Sequence, residues 1–128
     1  MSLRIYSGID IARVSRIRQA VSLHGSRFLR KIFSPSECRY CANRKNKYQH
    51  YAARFAAKEA FIKALSGVTD KIIPMTAIEI GHNRRGRPVI CLSEKDRRFL
   101  AIPTKSFFEL SISHEKEFAV ASVLLLCP

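Results

Sequence analysis

Acidic residues are scarce in this chain. Ten Asp and Glu stand against 23 Lys and Arg, a formal net charge of +13 over 128 residues. Such a surface repels cations and admits polyanionic partners: nucleic acid, acidic proteins, phosphorylated small molecules or anionic membranes. A long apolar run is also missing. The longest, Phe118 to Pro128, falls far short of the ~20 residues a membrane helix needs. It reads as a final core strand, and no membrane association is expected. Met1-Ser2-Leu3-Arg4 carries a charge with no apolar stretch behind it, so no targeting segment is expected. Internal repeats and low-complexity tracts are absent. Cys38 and Cys41 form a C-x-x-C, but no second pair or suitably spaced histidines follow, which argues against a zinc site. Ordinary reduced thiols in a cytoplasmic protein are the expectation. Apolar residues make up 47% and charged residues 26%. That composition suits one packed domain spanning residues 1–128, and oligomerisation would help so short a chain hide its surface.

The pattern along the chain divides in two. Leu3 to Asp10 reads as a strand ending on a carboxylate. Ile11, Val14, Ile17 and Val21 then recur at helical spacing, flanked by Arg13, Arg16 and Arg18. Ser34-Pro35-Ser36-Glu37 is a helix start: a capping serine, a proline suited to the first turn, and a glutamate completing a capping box. That helix should run to about Asn43, with a turn over Arg44 to Tyr48. Gln49 to Ser66, rich in Ala, Phe and Leu without Gly or Pro, predicts the longest helix, ended by Gly67. Beyond it, Thr76 to His82 alternates as a strand, Asn83 to Pro88 has turn chemistry, and Val89 to Leu92 returns. Ser93 and Asp96 are spaced for one helical turn. Phe107 to Ser113 alternates again, with Phe108, Leu110 and Ile112 on one face. A polar turn, His114 to Glu117, leads into the last strand. Helices early and strands late predict an α+β fold, an antiparallel sheet covered by helices.

Three places could carry chemistry. On a wheel of the long helix, Glu59, Lys63 and Ser66 fall in a gap between Phe55 and Ile62 on one side and Ala52, Ala56 and Ala60 on the other. Glu59 and Lys63 are spaced for an i,i+4 ion pair worth only ~0.2–0.5 kcal/mol. Their apolar flanks admit a second reading, since partly desolvated charges serve a ligand or each other. Arg54 and Lys58 form a separate polar sector that reads as a solvated edge. Asp10, at a strand end, is either an N-cap or a ligand for a hard cation. Asp10 with Glu59 would satisfy magnesium, which takes one or two carboxylates and fills its shell with water and phosphate. His114, at a sheet edge, is either structural or a hydrogen-bond donor to phosphate.

These positions together resemble the holo-(acyl-carrier-protein) synthase family of phosphopantetheinyl transferases. Gly8-Ile9-Asp10-Ile11 with Ser15-Arg16-Ile17 resembles the family's opening signature, and Phe33 to Glu37 its F-T-x-x-E segment. Arg54-Phe55-Ala56-Ala57-Lys58-Glu59-Ala60-Phe61-Ile62-Lys63-Ala64 matches the most specific motif, R-F-A-x-K-E-A-x-x-K-A. Ile78-Glu79-Ile80, Gly86-Arg87-Pro88 and Ser111-Ile112-Ser113-His114 match later blocks in order. The resemblance implies transfer of the 4′-phosphopantetheine arm of coenzyme A to a serine of an acyl carrier protein, in support of fatty acid biosynthesis. It implies Asp10 and Glu59 as magnesium ligands, and Glu59 and Lys63 as catalytic groups. It implies Arg54, Lys63, Arg87 and His114 as coenzyme A contacts drawn from two subunits of a homotrimer. Arg16, with Arg13 nearby, would dock the acidic carrier. The family's Gly-Thr-Gly loop is replaced by Ser66-Gly67-Val68-Thr69, and Pro74 to Ala77 replaces its aromatic before the next strand. A basic nucleic-acid-binding protein is the rival class. It explains the charge but neither Asp10 nor Glu59, and clear stacking aromatics and a Gly-rich RNA motif are missing.

Overall fold

Residues 2–128 are described in a computed structural model. The chain begins with strand β1 (Arg4–Arg13), then helices α1 (Val14–His24), α2 (Ser26–Ile32), α3 (Pro35–Ala42) and α4 (Lys47–Leu65). A 3₁₀ turn (Met75–Ala77) leads into the hairpin β2 (Glu79–His82) and β3 (Pro88–Cys91). Helix α5 (Glu94–Phe99) and strands β4 (Phe107–His114) and β5 (Phe118–Cys127) complete it. One antiparallel sheet has the order β1-β5-β4, and β2 and β3 form a second, two-stranded one. The α+β expectation holds.

Helix α4 packs against β1 and β5. Its alanines make this possible. Ala52, Ala53, Ala56, Ala57, Ala60 and Ala64 are all buried, and so small a side chain lets a helix axis approach a sheet. The approach is closest at Gly8. A Cβ there would lie 1.9 Å from the Ala60 carbonyl oxygen and 2.7 Å from the Ala64 nitrogen. The strand therefore meets the helix backbone to backbone. Strand alternation then aligns Tyr6, Gly8, Asp10 and Ala12 toward α4 and leaves Ile5, Ile9 and Ile11 exposed on the far face. Phe61, fully buried, meets Phe108 of β4 edge-on at 5.0 Å. Burying such a ring stabilises by about 2–3 kcal/mol.

Several boundaries differ from the sequence reading. β1 continues past Asp10 to Arg13, because its pairing with β5 extends to Arg13–Phe118. Ile11 is thus an exposed strand residue, and the α1 stripe starts at Val14. β2 begins at Glu79, since the preceding residues close a 3₁₀ turn through Ile78 N–H to Met75 O at 3.1 Å. α4 begins at Lys47, so the anticipated turn over Arg44 to Tyr48 is shorter. The capping box at Ser34 and Glu37 is present as read.

Candidate functional site

The largest correction falls on the sector of α4 read as solvated. Arg54 is 4% exposed and Lys58 fully buried. The Lys58 ammonium donates to Glu37 Oε1 at 2.6 Å, Ile32 O at 2.7 Å and Met75 O at 2.9 Å. Its three N–H bonds are all used. Glu37 Oε1 also accepts from Ser34 N at 2.8 Å, and Oε2 accepts from Ile80 N at 2.8 Å. This pair therefore ties α4 to the ends of α2 and α3, to the 3₁₀ turn and to β2. Burial pulls the Lys58 pKa below its ordinary value, opposed by the Glu37 charge. The clue in the sequence was that the residues on the Lys58 face of α4, apart from Arg54, are large and apolar or aromatic: Tyr51, Phe55, Phe61, Ile62 and Leu65. Glu79 was read only as part of a matching block. It accepts hydrogen bonds from the Ser34 and Ser36 hydroxyls, chiefly the Ser36 bond, and these hold its pKa below the usual carboxylate value.

Immediately after Lys58, α4 changes character. Glu59 is half-buried and Lys63 exposed. The Lys63 ammonium donates to Ile9 O at 2.9 Å and to Asp10 Oδ1 at 3.2 Å. Ser66 Oγ donates to Lys63 O at 2.6 Å. The simple i,i+4 ion pair is not formed: Lys63 pairs with Asp10, and Glu59 has no ion-pair partner among the described residues. Asp10 is not an N-cap either, because it lies inside β1 opposite Ala121. The Gly8 contact explains the meeting. With the strand pressed on α4 at Ala60 and Ala64, Asp10 two residues further arrives beside Lys63. With the Lys63 side chain 54% exposed, the pair contributes at most about 1 kcal/mol. The crossing thus brings Asp10 and Lys63 together, one helical turn from a carboxylate, Glu59, that has no ion-pair partner among the described residues.

A second cluster lies on the other side of α4. Tyr40, His50, Arg54, His82, Pro88 and His114 line a cleft of about 230 Å³. His114 Nδ1 lies 3.0 Å from Gln49 Oε1. The Arg54 Nε is buried without a partner among the described residues. Arg54 and His114 thus line the same cleft. Glu59 and Lys63 are not in this lining. Arg87 is not in it either; it sits on the hairpin turn and faces Glu109 of β4 at 3.6 Å. Arg13 and Arg16 are exposed. Arg13 lies over the Phe118 ring at 5.0 Å and lines a groove with Arg18 and Lys116; Arg16 stands outside that lining. The Ser66 to Thr69 loop flanks a further cleft, walled by Ile62, Leu65, Ile72 and Ile73.

An α+β chain whose first strand delivers a carboxylate to a Glu-and-Lys turn of its longest helix, amid a cationic surface, has the make-up of a protein that handles anionic, phosphate-bearing partners. Comparison with known proteins narrows this class. Residues 7–123 match the 4′-phosphopantetheinyl transferase superfamily, and the chain belongs to it. A holo-[acyl-carrier-protein] synthase of Koribacter versatilis is 39% identical over 119 residues, covering 93% of this chain and 95% of the relative. The "ACPS-CoA complex" of Chronobacterium ammoniagenes superposes with a TM-score of 0.84 at 31% identity, covering 98% of both chains. The Helicobacter pylori holo-[acyl-carrier-protein] synthase in complex with coenzyme A gives a TM-score of 0.80 at 34% identity, covering 93% of this chain and 98% of the other.

Proposed function

We propose that residues 1–128 act as one phosphopantetheinyl transferase domain. It moves the 4′-phosphopantetheine arm of coenzyme A to a serine of an apo acyl carrier protein and releases adenosine 3′,5′-bisphosphate, in support of fatty acid biosynthesis in the cytoplasm. The observation that carries this reading is the meeting of Asp10 with Lys63 where β1 crosses α4, one helical turn from Glu59, in a chain that matches the family from residue 7 to residue 123.

The donor set suits magnesium. Asp10 and Glu59 offer hard carboxylate oxygens on the open side of the crossing, and two carboxylates are what this ion ordinarily takes from a protein. Clusters of three or more metal-ligating side chains are absent among the described residues, which leaves further positions to water and substrate. When bound, magnesium neutralises charge on the pyrophosphate. The remaining work falls to side chains. The carrier serine oxygen forms a bond to the phosphorus next to pantetheine, and the bond from that phosphorus to the bridging oxygen breaks. The electron pair leaves with adenosine 3′,5′-bisphosphate. Lys63, released from Asp10 toward the phosphates, stabilises the charge that develops there. Glu59, unpaired and half-buried, takes the serine proton. Arg54, Arg87 and His114 hold coenzyme A, and the exposed Arg13 and Arg16 meet the acidic carrier.

The homotrimer belongs to this proposal. The outer face of the three-stranded sheet exposes Ile5, Ile9, Ile11, Phe107 and Leu124. Contiguous apolar surface of this kind marks an interface. Arg54 and His114 share a cleft that omits Glu59 and Lys63, as suits a ligand held partly by one subunit and partly by the next.

The test is Glu59→Gln, assayed with coenzyme A, Mg²⁺ and an apo carrier protein by the carrier's mass gain. Transfer should fall about 10²- to 10⁴-fold, the usual contribution of a general base, with the fold intact by circular dichroism. Transfer at the wild-type rate would sink the reading.

A further inference from the structure

The cleft on the far side of α4 contains more cationic and titratable groups than the resemblance assigns to it. From α3 comes Tyr40. From α4 come His50 and Arg54, from β2 His82 and from β4 His114, while Arg44 approaches from the α3–α4 connection. The groups touch. The His50 and His114 rings are 5.2 Å apart, Tyr40 and His82 4.9 Å, and Tyr40 and His50 5.9 Å. The Arg54 and Arg44 guanidiniums lie 4.2 and 4.0 Å from the Tyr40 ring centroid. No carboxylate is among the residues lining the cleft. One permanent cation, Arg54, and three imidazoles therefore share one concavity with no carboxylate in its lining, and a second cation, Arg44, stands against the Tyr40 ring at its edge.

Such an arrangement is unfavourable when empty and favourable around an anion. Arg54 is buried and its Nε hydrogen is unspent. Partial burial, and then the charges of neighbouring groups, hold His50 and His82 below the ordinary imidazole value. Both therefore resist protonation in the empty cleft. An anion seated among them would reverse that balance, because each proton taken up would then meet an opposite charge.

We propose that this cleft is a proton-coupled anion subsite, in which His50 and His82 join Arg54 and His114 around a phosphate-type dianion and tighten on it as they protonate. Under the transferase reading, on which only the ligand's identity rests, the dianion is a phosphate of coenzyme A. His50 and His82 are then affinity-determining residues that carry no part of the bond-making.

Linkage supplies the test. If the protonated cleft binds the anion better, the anion must raise the imidazole pKa values by the same free energy. Sulfate is the probe, since it stays doubly charged from pH 5 to 8 and leaves any proton dependence to the protein. Imidazole proton resonances of the whole chain are followed by NMR through that range, in sodium sulfate and in sodium chloride of equal ionic strength. His50→Asn and His82→Asn assign the peaks. Expected is a rise of about half a pH unit or more for His50 and His82 in sulfate, which corresponds to ~3-fold tighter binding of the protonated form. His24, at the end of α1, should not move. Unchanged midpoints, or an equal shift at His24, would overturn the proposal. The transfer assay separates the two readings: sulfate shifts without phosphopantetheine transfer support the subsite and remove the transferase, and transfer without sulfate shifts does the opposite.

Discussion

Adding one methyl group at Gly8 should disable the site from the non-chemical side of the β1–α4 crossing. In Gly8→Ala the new Cβ would sit 1.9 Å from the Ala60 carbonyl oxygen, where real contacts do not fall below 3.0 Å. Strand and helix must therefore separate by about 1.1 Å. Both the offending atoms, Ala60 O and Ala64 N, are backbone, so no rotamer change relieves the clash. Overpacking of this kind costs about 1–3 kcal/mol. For a chain of this length that lowers Tm by roughly 4–12 °C. The same displacement carries Asp10 away from Lys63 and Glu59, and a misplacement of ~1 Å typically costs about 10²-fold in rate. The assay is carrier mass gain, run well below the variant's own Tm so that the folded enzyme alone is compared. Wild-type rate with wild-type Tm would refute the close contact itself. Wild-type rate with a lowered Tm would show that the crossing holds the fold together without setting the site, and would refute the link drawn between Gly8 and the chemistry.

Lys58→Met should destabilise by about 3–5 kcal/mol in urea unfolding, because it strands the Glu37 charge and leaves the Ile32 and Met75 carbonyls without donors. Lys58→Met with Glu37→Leu should be milder than Lys58→Met alone, and a double variant that is the worse of the two would contradict the pairing. Ile9→Glu, on the exposed apolar face of the sheet, should convert the proposed trimer to monomer in sedimentation without lowering monomer stability, as the side chain there is 64% exposed. A mass unchanged from wild type would place the interface elsewhere.

Local features were the most legible from sequence. The capping box at Ser34 and Glu37, the hairpin over Asn83 to Pro88 and the alternation of β4 depend on residues a few positions apart, and those cues survive in any tertiary context. Glu59 and Lys63 also stood out locally, as charges between apolar neighbours on one helix. Their partners did not. A wheel has no means of telling a solvated polar sector from one buried under another element, so Lys58 was misread until α2, α3 and β2 were seen to enclose it. Asp10 looked like a strand end because the pairing that extends β1 to Arg13 comes from β5, more than a hundred residues away in the chain.

The sequence by itself determined the family, the α+β order of elements and the list of charged side chains able to meet a phosphate, since each is written in residue identity and short spacing. Tertiary structure alone decided which of those charges are buried in the fold and which stay at the surface. Lys58 is buried on Glu37, and Lys63 is held loosely by Asp10. The physical reason is that burial and ion pairing depend on distance in space. Here that distance is set by a glycine in β1, whose missing side chain lets the strand lie directly on α4.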